Sequence, residues 1–300
     1  MNIPSIVVIG STNTDMVIRA AHLPAPGETL LGGSFFMNPG GKGANQAVAA
    51  KRLGGHVSFV AKTGNDIFGV DALRQFIQEG IDVSHMHTDP YHPSGVALIT
   101  VDDKAENTIV VASGANSTLS PEDVDHAADA IKSAAIILMQ LETPLETVIH
   151  AARLAASGVG QVILNPAPAQ ALPDELLKNI DIITPNETEA GMLSGITITD
   201  NDSARAAGHA IRAKGVGTVI ITLGAKGAYI LSKDMEQLVE APVVEAVDTT
   251  AAGDVFNGAL AVGLAEGQSL ADAVAFGCRA ASISVTRLGA QAAAPYRHET

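Results

Sequence analysis

The sequence alternates short apolar runs with amphipathic stretches from end to end, and this rhythm restricts the fold more than any other feature. The apolar runs are flanked by glycine and suit buried parallel strands. We predict strands at 6–9, 57–61, 136–139, 162–164, 180–184 and 218–222. Helices are predicted at 44–53, 68–78, 120–132, 144–156, 203–214, 252–265 and 270–285. This order predicts an α/β fold in which helices cover both faces of a doubly wound, mostly parallel sheet.

Two regions interrupt the rhythm. Residues 16–36 and 95–111 contain strand-like alternation and turn residues but no helical pattern. The pattern fits a small β lid over a site or a pair of surface hairpins. No linker, low-complexity tract or short repeat divides the chain, so residues 1–300 are predicted to form a single domain with a minor lid.

Composition excludes several classes of partner. Apolar residues make up 47% of the 300 residues but aromatic residues only 3%, so the core must be aliphatic. Lys and Arg number 18 against 32 Asp and Glu, and a net charge of −14 argues against nucleic acids and anionic membranes as partners. No apolar run approaches the length of a membrane span. The single cysteine, Cys278, fits a reducing cytoplasm.

A glycine-rich segment precedes the first predicted helix. It reads Gly-Gly-Lys-Gly-Ala-Asn over residues 40–45. It matches neither a Walker A loop nor a dinucleotide-binding fingerprint. Its glycines would let a ligand approach the free N–H groups of a helix start. The simpler alternative is a turn that needs only positive φ angles.

A carboxylate falls in the first turn of another predicted helix, within residues 248–258. Free N–H groups of that turn could stabilise charge on a phosphoryl group, and Asp254 could take a proton from a hydroxyl. We expect the helix terminus to lower the pKa of Asp254 and keep it ionised. The alternative is an acid that only complements the helix dipole.

Two further segments have weaker patterns. Asn186 and Glu189 are spaced to meet a phosphate and its Mg²⁺ from one helical turn, although helix capping explains them equally. Residues 222–227 join two strand-like runs, as either an ordinary hairpin or a loop around nucleotide phosphates.

Together and in this order, these segments resemble the PfkB carbohydrate-kinase family, most closely its ribokinase branch. Residues 139–142, 165–169 and 184–190 add to the resemblance, which covers nearly the entire chain. It implies a ribokinase-like three-layer fold with a β lid that also forms a homodimer contact. The implied reaction is ATP + D-ribose → ADP + D-ribose 5-phosphate, with Mg²⁺ and activation by a monovalent cation such as K⁺.

The resemblance also implies a role for individual residues. Asp254 would be the base for the 5-hydroxyl, next to an anion hole formed by the backbone of Ala251, Ala252 and Gly253. Most of the family has glycine where this chain has Ala251. The ribose-binding residues would be Asn13, Asp15, Gly41, Lys42, Asn45, Glu142 and Asp254. The nucleotide-binding residues would be Asn186, Thr222, Gly224, Gly227 and Gly253.

Two ion sites follow from the same resemblance. Glu189 would organise Mg²⁺, through water. The monovalent cation would be held by Asp248, Thr250, Ser284, Arg287 and Gly289, the last three mainly through carbonyl oxygens. Ala293 stands where some relatives offer a serine hydroxyl. Cys278 is expected near the adenine edge, with no chemical role.

A histidine-rich stretch and several other activities stay outside this assignment. His85, His87 and His92 suggest a metal site, but no nearby acid or cysteine completes a usual ligand set, so a polar surface loop is expected. The alternatives to ribose are 2-deoxyribose, fructose or a nucleoside as phosphoryl acceptor. A non-catalytic sugar- or nucleotide-binding protein is a third possibility.

Overall fold

The computed structural model describes residues 5–104 and 106–300; residues 1–4 and 105, which belong to the predicted domain and lid, lie outside them. The strands are β1 (Ser5–Ile9), β2 (Asn13–Arg19), β3 (Ser34–Gly40), β4 (His56–Gly64), β5 (Met86–Asp89), β6 (Gly95–Val101), β7 (Asn107–Ala112), β8 (Ile136–Met139), β9 (Gln161–Leu164), β10 (Ile182–Ile183), β11 (Thr218–Thr222), β12 (Ala228–Leu231) and β13 (Glu236–Val239). The helices are α1 (Lys42–Arg52), α2 (Ile67–Glu79), α3 (Pro121–Asp125), α4 (Ala128–Ser133), α5 (Leu145–Ala156), α6 (Asp174–Leu177), α7 (Glu187–Ser194), α8 (Asn201–Arg212), α9 (Ala252–Ala265) and α10 (Leu270–Ser284).

Among the described residues, nine strands form the central sheet, in the order β13-β12-β11-β10-β9-β8-β1-β4-β5. Every pairing is parallel except the two made by β12. The chain builds outward from β1 in both directions, so the strand order reverses between β1 and β8. This confirms the predicted α/β class and its mostly parallel sheet.

Helices cover both faces of this sheet and create two apolar layers. Side chains alternate along β1, so Ile6 and Val8 pack toward α1, α9 and α10, while Val7 and Ile9 pack toward α5 and α8. Both layers consist mainly of Ala, Val, Ile and Leu, as the composition predicted. The layer on the α1 side also contains buried phenylalanines, and the rings of Phe59 and Phe76 meet there edge to face, with centroids 5.3 Å apart.

The two regions without helices form a second, four-stranded sheet in the order β3-β2-β6-β7, called the lid sheet here. β2 begins at Asn13, soon after β1 ends, so the lid sheet grows from the carboxyl edge of the central sheet. Met37, Leu98 and Val110 lie in one cross-strand row with Met16. These three are 54%, 55% and 68% exposed, so one face of the lid sheet is apolar and open.

Three local predictions were wrong or incomplete. The helix predicted at 120–132 is divided into α3 and α4, because the chain tightens at Ala127, whose N–H donates to Val124 O three residues back. The strand predicted at 180–184 is paired only at β10. Residues 86–89, expected in a surface loop, pair with β4 as an edge strand.

No helix in the described part of the chain is both long and apolar enough to cross a bilayer.

Candidate active site

The polar residues of the candidate site lie at the carboxyl edge of the central sheet, where the strand order reverses. Ligand sites of open α/β sheets commonly occupy this position, since the loops there diverge and leave a crevice. Ser11 follows β1 and Glu142 follows β8, and Ser11 Oγ donates to Glu142 Oε2 over 2.5 Å. The backbone N–H of Lys42, at the start of α1, donates to the same carboxylate oxygen over 3.0 Å. Glu142 is thus fixed between two strand ends and a helix N-terminus.

Asp15 lies on β2 and faces the same region. Its strand partner is β3, and its carboxylate lies over Gly40, where any Cβ would overlap it. Burial raises the pKa of Asp15 to about 6, and the negative charges of Glu142 and Asp254 contribute. The lid sheet therefore brings one carboxyl group close to two others.

Asn13, at the start of β2, is held by a residue that the sequence did not single out. Asn116 Nδ2 donates to Asn13 Oδ1 over 2.8 Å and to the carbonyl of Thr12 over 3.0 Å. Asn116 Oδ1 accepts from the N–H of Thr12 over 2.9 Å. This buried amide holds the start of β2 at the carboxyl edge of the central sheet.

Asp254 is 6% exposed and lies in the first turn of α9. Asn45 Nδ2 donates to its Oδ2 and Gln46 Nε2 to its Oδ1, each over 2.9 Å. Burial raises the pKa of Asp254, although Lys42 and the two amide donors oppose this effect. The expectation of a lowered pKa was wrong, because the loss of water outweighs the donors and the helix terminus. A raised pKa suits a general base that works near neutral pH.

The N-terminus of α9 offers N–H groups next to Asp254. Ala251 adopts φ 59° and ψ 13°, a left-handed conformation that suits glycine better than alanine. Among the described residues, no acceptor is bound by the N–H groups of Gly253 and Asp254, whereas Ala252 N donates to Thr249 O over 3.3 Å. The N–H of Ala251 likewise bonds no described acceptor, so two of the three predicted donors, Ala251 and Gly253, are free, and Asp254 adds a further free N–H.

A cleft of about 580 Å³ opens beside this helix start. Its volume is typical of small-molecule sites. All five predicted nucleotide-binding residues line it: Asn186, Thr222, Gly224, Gly227 and Gly253. Cys278 also lines the cleft, and burial raises the pKa of its thiol to about 11, which keeps it in the unreactive protonated form.

Asn186 and Glu189 form a reciprocal cap at the start of α7. Asn186 Oδ1 accepts from Glu189 N over 2.8 Å, and Glu189 Oε2 accepts from Asn186 N over 2.9 Å. Burial raises the pKa of Glu189, although the Asn186 N–H and Lys42 oppose this effect. Burial alone would lower the pKa of Lys42, but the charges of Asp254, Glu142 and Glu189 raise it. Lys42 therefore lies among carboxylates of both predicted subsites.

The residues predicted to hold a monovalent cation form a separate cluster. Asp248 accepts from Thr250 N and Gly289 N, each over 2.9 Å, and so joins the two loops. The Ser284 carbonyl accepts from Arg287 N over 3.1 Å. The Arg287 guanidinium donates instead to both carboxylate oxygens of Glu299.

Gln46 is the most informative residue that sequence reasoning left without a role. Its side chain is fully buried, donates to Asp254 and to Asn165 Oδ1 (3.1 Å), and accepts from Gln140 Nε2 (2.6 Å). A polar residue following Asn45 on a predicted helix face was the only available signal. The structure shows that Gln46, itself bound by the Gln140 amide, holds one carboxylate oxygen of Asp254 in place.

The chain is similar to known proteins in both sequence and structure. The profile of the pfkB family carbohydrate kinases matches residues 4–297. The ribokinase of Haemophilus influenzae is 48% identical over 296 residues, which cover 99% of this chain and 97% of that protein. The deoxyribokinase of Salmonella typhi is 40% identical over 291 residues, 97% of this chain and 95% of that protein. A structure of Arabidopsis thaliana ribokinase complexed with ribose and ATP has a TM-score of 0.90 at 31% identity, covering 98% of this chain and 96% of that one.

Proposed function

Because the chain belongs to the pfkB family of carbohydrate kinases, we propose that it transfers the γ-phosphoryl group of ATP to the 5-hydroxyl of D-ribose. The products are D-ribose 5-phosphate and ADP. One observation carries the proposal: Asp254 is buried in the first turn of α9, where Ala252 and Gly253 line a nucleotide-sized cleft and the N–H of Gly253 bonds no described acceptor. The similarity of the chain to ribokinases over nearly its whole length supports ribose as the sugar.

The proposed ribose pocket lies next to the carboxylate group of Asp254. Its residues are Asn13, Asp15, Gly41, Lys42, Asn45 and Glu142. Asn45 Oδ1 is buried and has no hydrogen-bond partner among the described residues. A buried acceptor without a partner costs ~1–3 kcal/mol, and a ribose hydroxyl would remove that cost. Carboxylates and amides in this arrangement match a ligand made mostly of hydroxyl groups.

The chemistry is an in-line displacement at phosphorus. Asp254 accepts the proton of the attacking hydroxyl, while Gln46 and Asn45 hold its two oxygens in place. The backbone of Ala251, Ala252 and Gly253, together with the N–H of Asp254, stabilises charge on the transferred phosphoryl group. The ammonium group of Lys42 offers a positive charge to the same phosphoryl group. Positioning supplies most of the acceleration in such reactions, with a general base adding roughly 10²–10⁴-fold.

Mg²⁺ fits the end of the cleft nearest α7. Asn186 and Glu189 present oxygen atoms there, and Mg²⁺ prefers oxygen ligands and keeps several waters. Glu189 would hold it through water, while Thr222, Gly224 and Gly227 contact the nucleotide. The ion would neutralise phosphate charge that this acidic protein has few basic side chains to meet.

A monovalent cation such as K⁺ fits the cluster at Asp248. That cluster offers one carboxylate and several backbone carbonyls, which are the hard oxygen donors that such cations favour. Thr250, Ser284, Arg287 and Gly289 would complete it, and the buried Ala293 adds no hydroxyl. The cation would stabilise the loop that precedes the α9 N-terminus.

We also propose that the lid sheet closes over the ribose pocket and joins two copies of the chain. Asp15 lies on one of its faces, and the open apolar row of Met37, Leu98 and Val110 lies on the other. A second copy would cover that row. Leu98→Lys should then shift the sedimentation coefficient from dimer to monomer, whereas Val243→Lys, at an exposed site elsewhere, should not; a monomeric parent protein would contradict the proposal.

Release of ADP from purified protein tests the activity. We would compare D-ribose, 2-deoxyribose, fructose, tagatose and adenosine, each with K⁺, with Na⁺ and without either. Ribose with K⁺ should give the highest kcat/KM. No ADP with any acceptor would refute a kinase, and equal rates with and without K⁺ would refute the cation site.

A second candidate acceptor is 2-deoxyribose. The 40% identity to a deoxyribokinase favours it specifically, since the two sugars differ by one hydroxyl. The same panel of acceptors separates the two sugars.

A single domain over residues 1–300 and a cytoplasmic location also stay predictions. They are based on the continuous family match and on the single cysteine.

A further inference from the structure

Three side chains outside the active site converge on one point near the edge of the central sheet. His87 lies on the edge strand β5, Asp123 lies in α3, and His126 follows at the end of that helix. Each offers one ligand atom, a ring nitrogen or a carboxylate oxygen, and these three atoms lie within 4.8 Å of one another. The histidines that the sequence grouped with His87 do not take part, since His92 pairs instead with Asp89.

The two oxygens of Asp123 have different surroundings. Its Oδ2 accepts from Lys62 Nζ over 2.8 Å and from Ser120 N over 2.8 Å. Its Oδ1 accepts from no described residue and faces His87 Nδ1 across 3.5 Å. The carboxylate is therefore held firmly by one oxygen while the other is free to bind a ligand.

The hydrogen bond of the His87 ring leaves its other nitrogen available. His87 Nε2 lies 3.2 Å from the carbonyl oxygen of Asp123, and because a carbonyl only accepts, Nε2 carries the hydrogen in the neutral ring. Nδ1 of that ring then has a lone pair for a metal and lies 3.5 Å from Asp123 Oδ1. Histidines that bind metals usually donate their other ring N–H to a carbonyl or carboxylate in this manner.

The spacing also matches a metal centre. Two ligand atoms bound to Zn²⁺ at ~2.0–2.1 Å in tetrahedral geometry lie about 3.3 Å apart. The 3.5 Å between His87 Nδ1 and Asp123 Oδ1 is close to that value. His126 lies one helical turn after Asp123, and its ring centroid is 5.5 Å from that of His87. Because His126 is exposed, it can rotate to complete the set.

We propose that His87, Asp123 and His126 form a binding site for a divalent transition metal of the Zn²⁺ class, with water at the remaining position. Two imidazoles and one carboxylate suit Zn²⁺, Ni²⁺ or Cu²⁺ and do not suit Mg²⁺, which requires oxygen ligands. The site is thus chemically distinct from the proposed Mg²⁺ position at Glu189.

Its place in the fold gives the site a structural role. β5 leads through residues 90–94 into β6, and β7 leads through residues 113–120 into α3. The ligands therefore come from the two segments that enter and leave the β6–β7 half of the lid sheet. A bound metal would link these segments at their base, beside the Thr118 Oγ1 hydrogen bond to Asp89 Oδ2 of 2.6 Å.

The test is calorimetric titration of Zn²⁺ into EDTA-treated, ligand-free protein in the presence of excess Mg²⁺. We expect one Zn²⁺ per chain in the parent protein. His87→Ala and His126→Ala should each weaken binding at least tenfold, since even loss of an outer-shell partner costs about 10–100-fold. His85→Ala, two residues from His87, is the matched control and should bind as the parent does. Co²⁺ should give the visible absorption of a tetrahedral site in the parent and lose it in both ligand variants.

Several outcomes would overturn the proposal. One is the absence of saturable Zn²⁺ binding. Another is Zn²⁺ binding that His126→Ala leaves unchanged, which would place the metal at other carboxylates. An equal loss in His85→Ala and His87→Ala would show that the ligands are the neighbouring histidines of the sequence stretch. Because His126 is exposed, its replacement should not unfold the protein, and thermal unfolding of the metal-free variants verifies this.

Discussion

Replacing Asp15 by asparagine should stabilise the free protein while damaging its function. Burial, with help from Glu142 and Asp254, raises the pKa of Asp15 from 3.8 to about 6. One pKa unit corresponds to 1.36 kcal/mol, so ionised Asp15 destabilises the folded protein by ~3 kcal/mol relative to the unfolded chain. Asparagine has the same shape and no charge. We therefore expect Asp15→Asn to raise the free energy of unfolding by about 1–3 kcal/mol at pH 8.

The gain should depend on pH in a defined direction. The folded-state pKa is the higher one, so well below pH 3.8 both states carry the proton and Asp15 has no effect. The destabilisation grows as pH rises between the two pKa values and is complete above about pH 6. At pH 5 the gain of the variant should therefore be roughly half of its value at pH 8.

Urea denaturation without ligands at pH 5 and pH 8 measures both effects. Asp234→Asn, in the exposed turn between β12 and β13, is the matched control and should change stability little at either pH. A variant no more stable than the parent at pH 8, or a gain that is equal at both pH values, would refute the reasoning. Asp15→Asn should also raise the ribose KM at least ~tenfold, because a charged acceptor of the sugar hydroxyls is lost.

The active-site geometry supports three further predictions. Asp254→Asn should lower kcat at least ~100-fold with ribose binding retained; near-normal turnover would remove it as the base. Gln46→Ala removes a donor that lowers the pKa of Asp254, so the acid limb of the kcat–pH profile should move to higher pH, and an unchanged limb would leave Gln46 a purely structural role. Glu142→Ala should raise the KM for ribose more than the KM for ATP, and a change confined to ATP would overturn its placement in the sugar pocket.

Much of the fold could be predicted because the relevant signals are local. Gly80 at the end of α2 and the apolar length of α9 define those helices within a few residues of chain. The loop prediction for the polar stretch 86–89 was wrong because the relevant signal is not local. This stretch becomes a strand only because β4 offers a free edge. Likewise, Ala127 interrupts a segment whose capping sequence at Ser120 predicted a longer helix.

The candidate site divides in the same way. Residues 40–45 and 248–258 could be singled out because glycines and a carboxylate at a helix start have a chemical meaning in isolation. Asn116 and Gln46 could not, since their roles depend on partners far away in sequence. Gln46 and Asp254 are 208 positions apart, and their hydrogen bond exists only once α1 packs against α9.

The α/β class, the aliphatic core and the segments that carry the chemistry follow from local sequence patterns. How those groups titrate and which of them meet depends on how the chain packs. The direction of the Asp254 pKa reversed because desolvation is a property of the packed molecule, and no neighbouring residue encodes it. For the same reason His87 finds its partners in Asp123 and His126, brought together by sheet and helix packing, rather than in the histidines beside it.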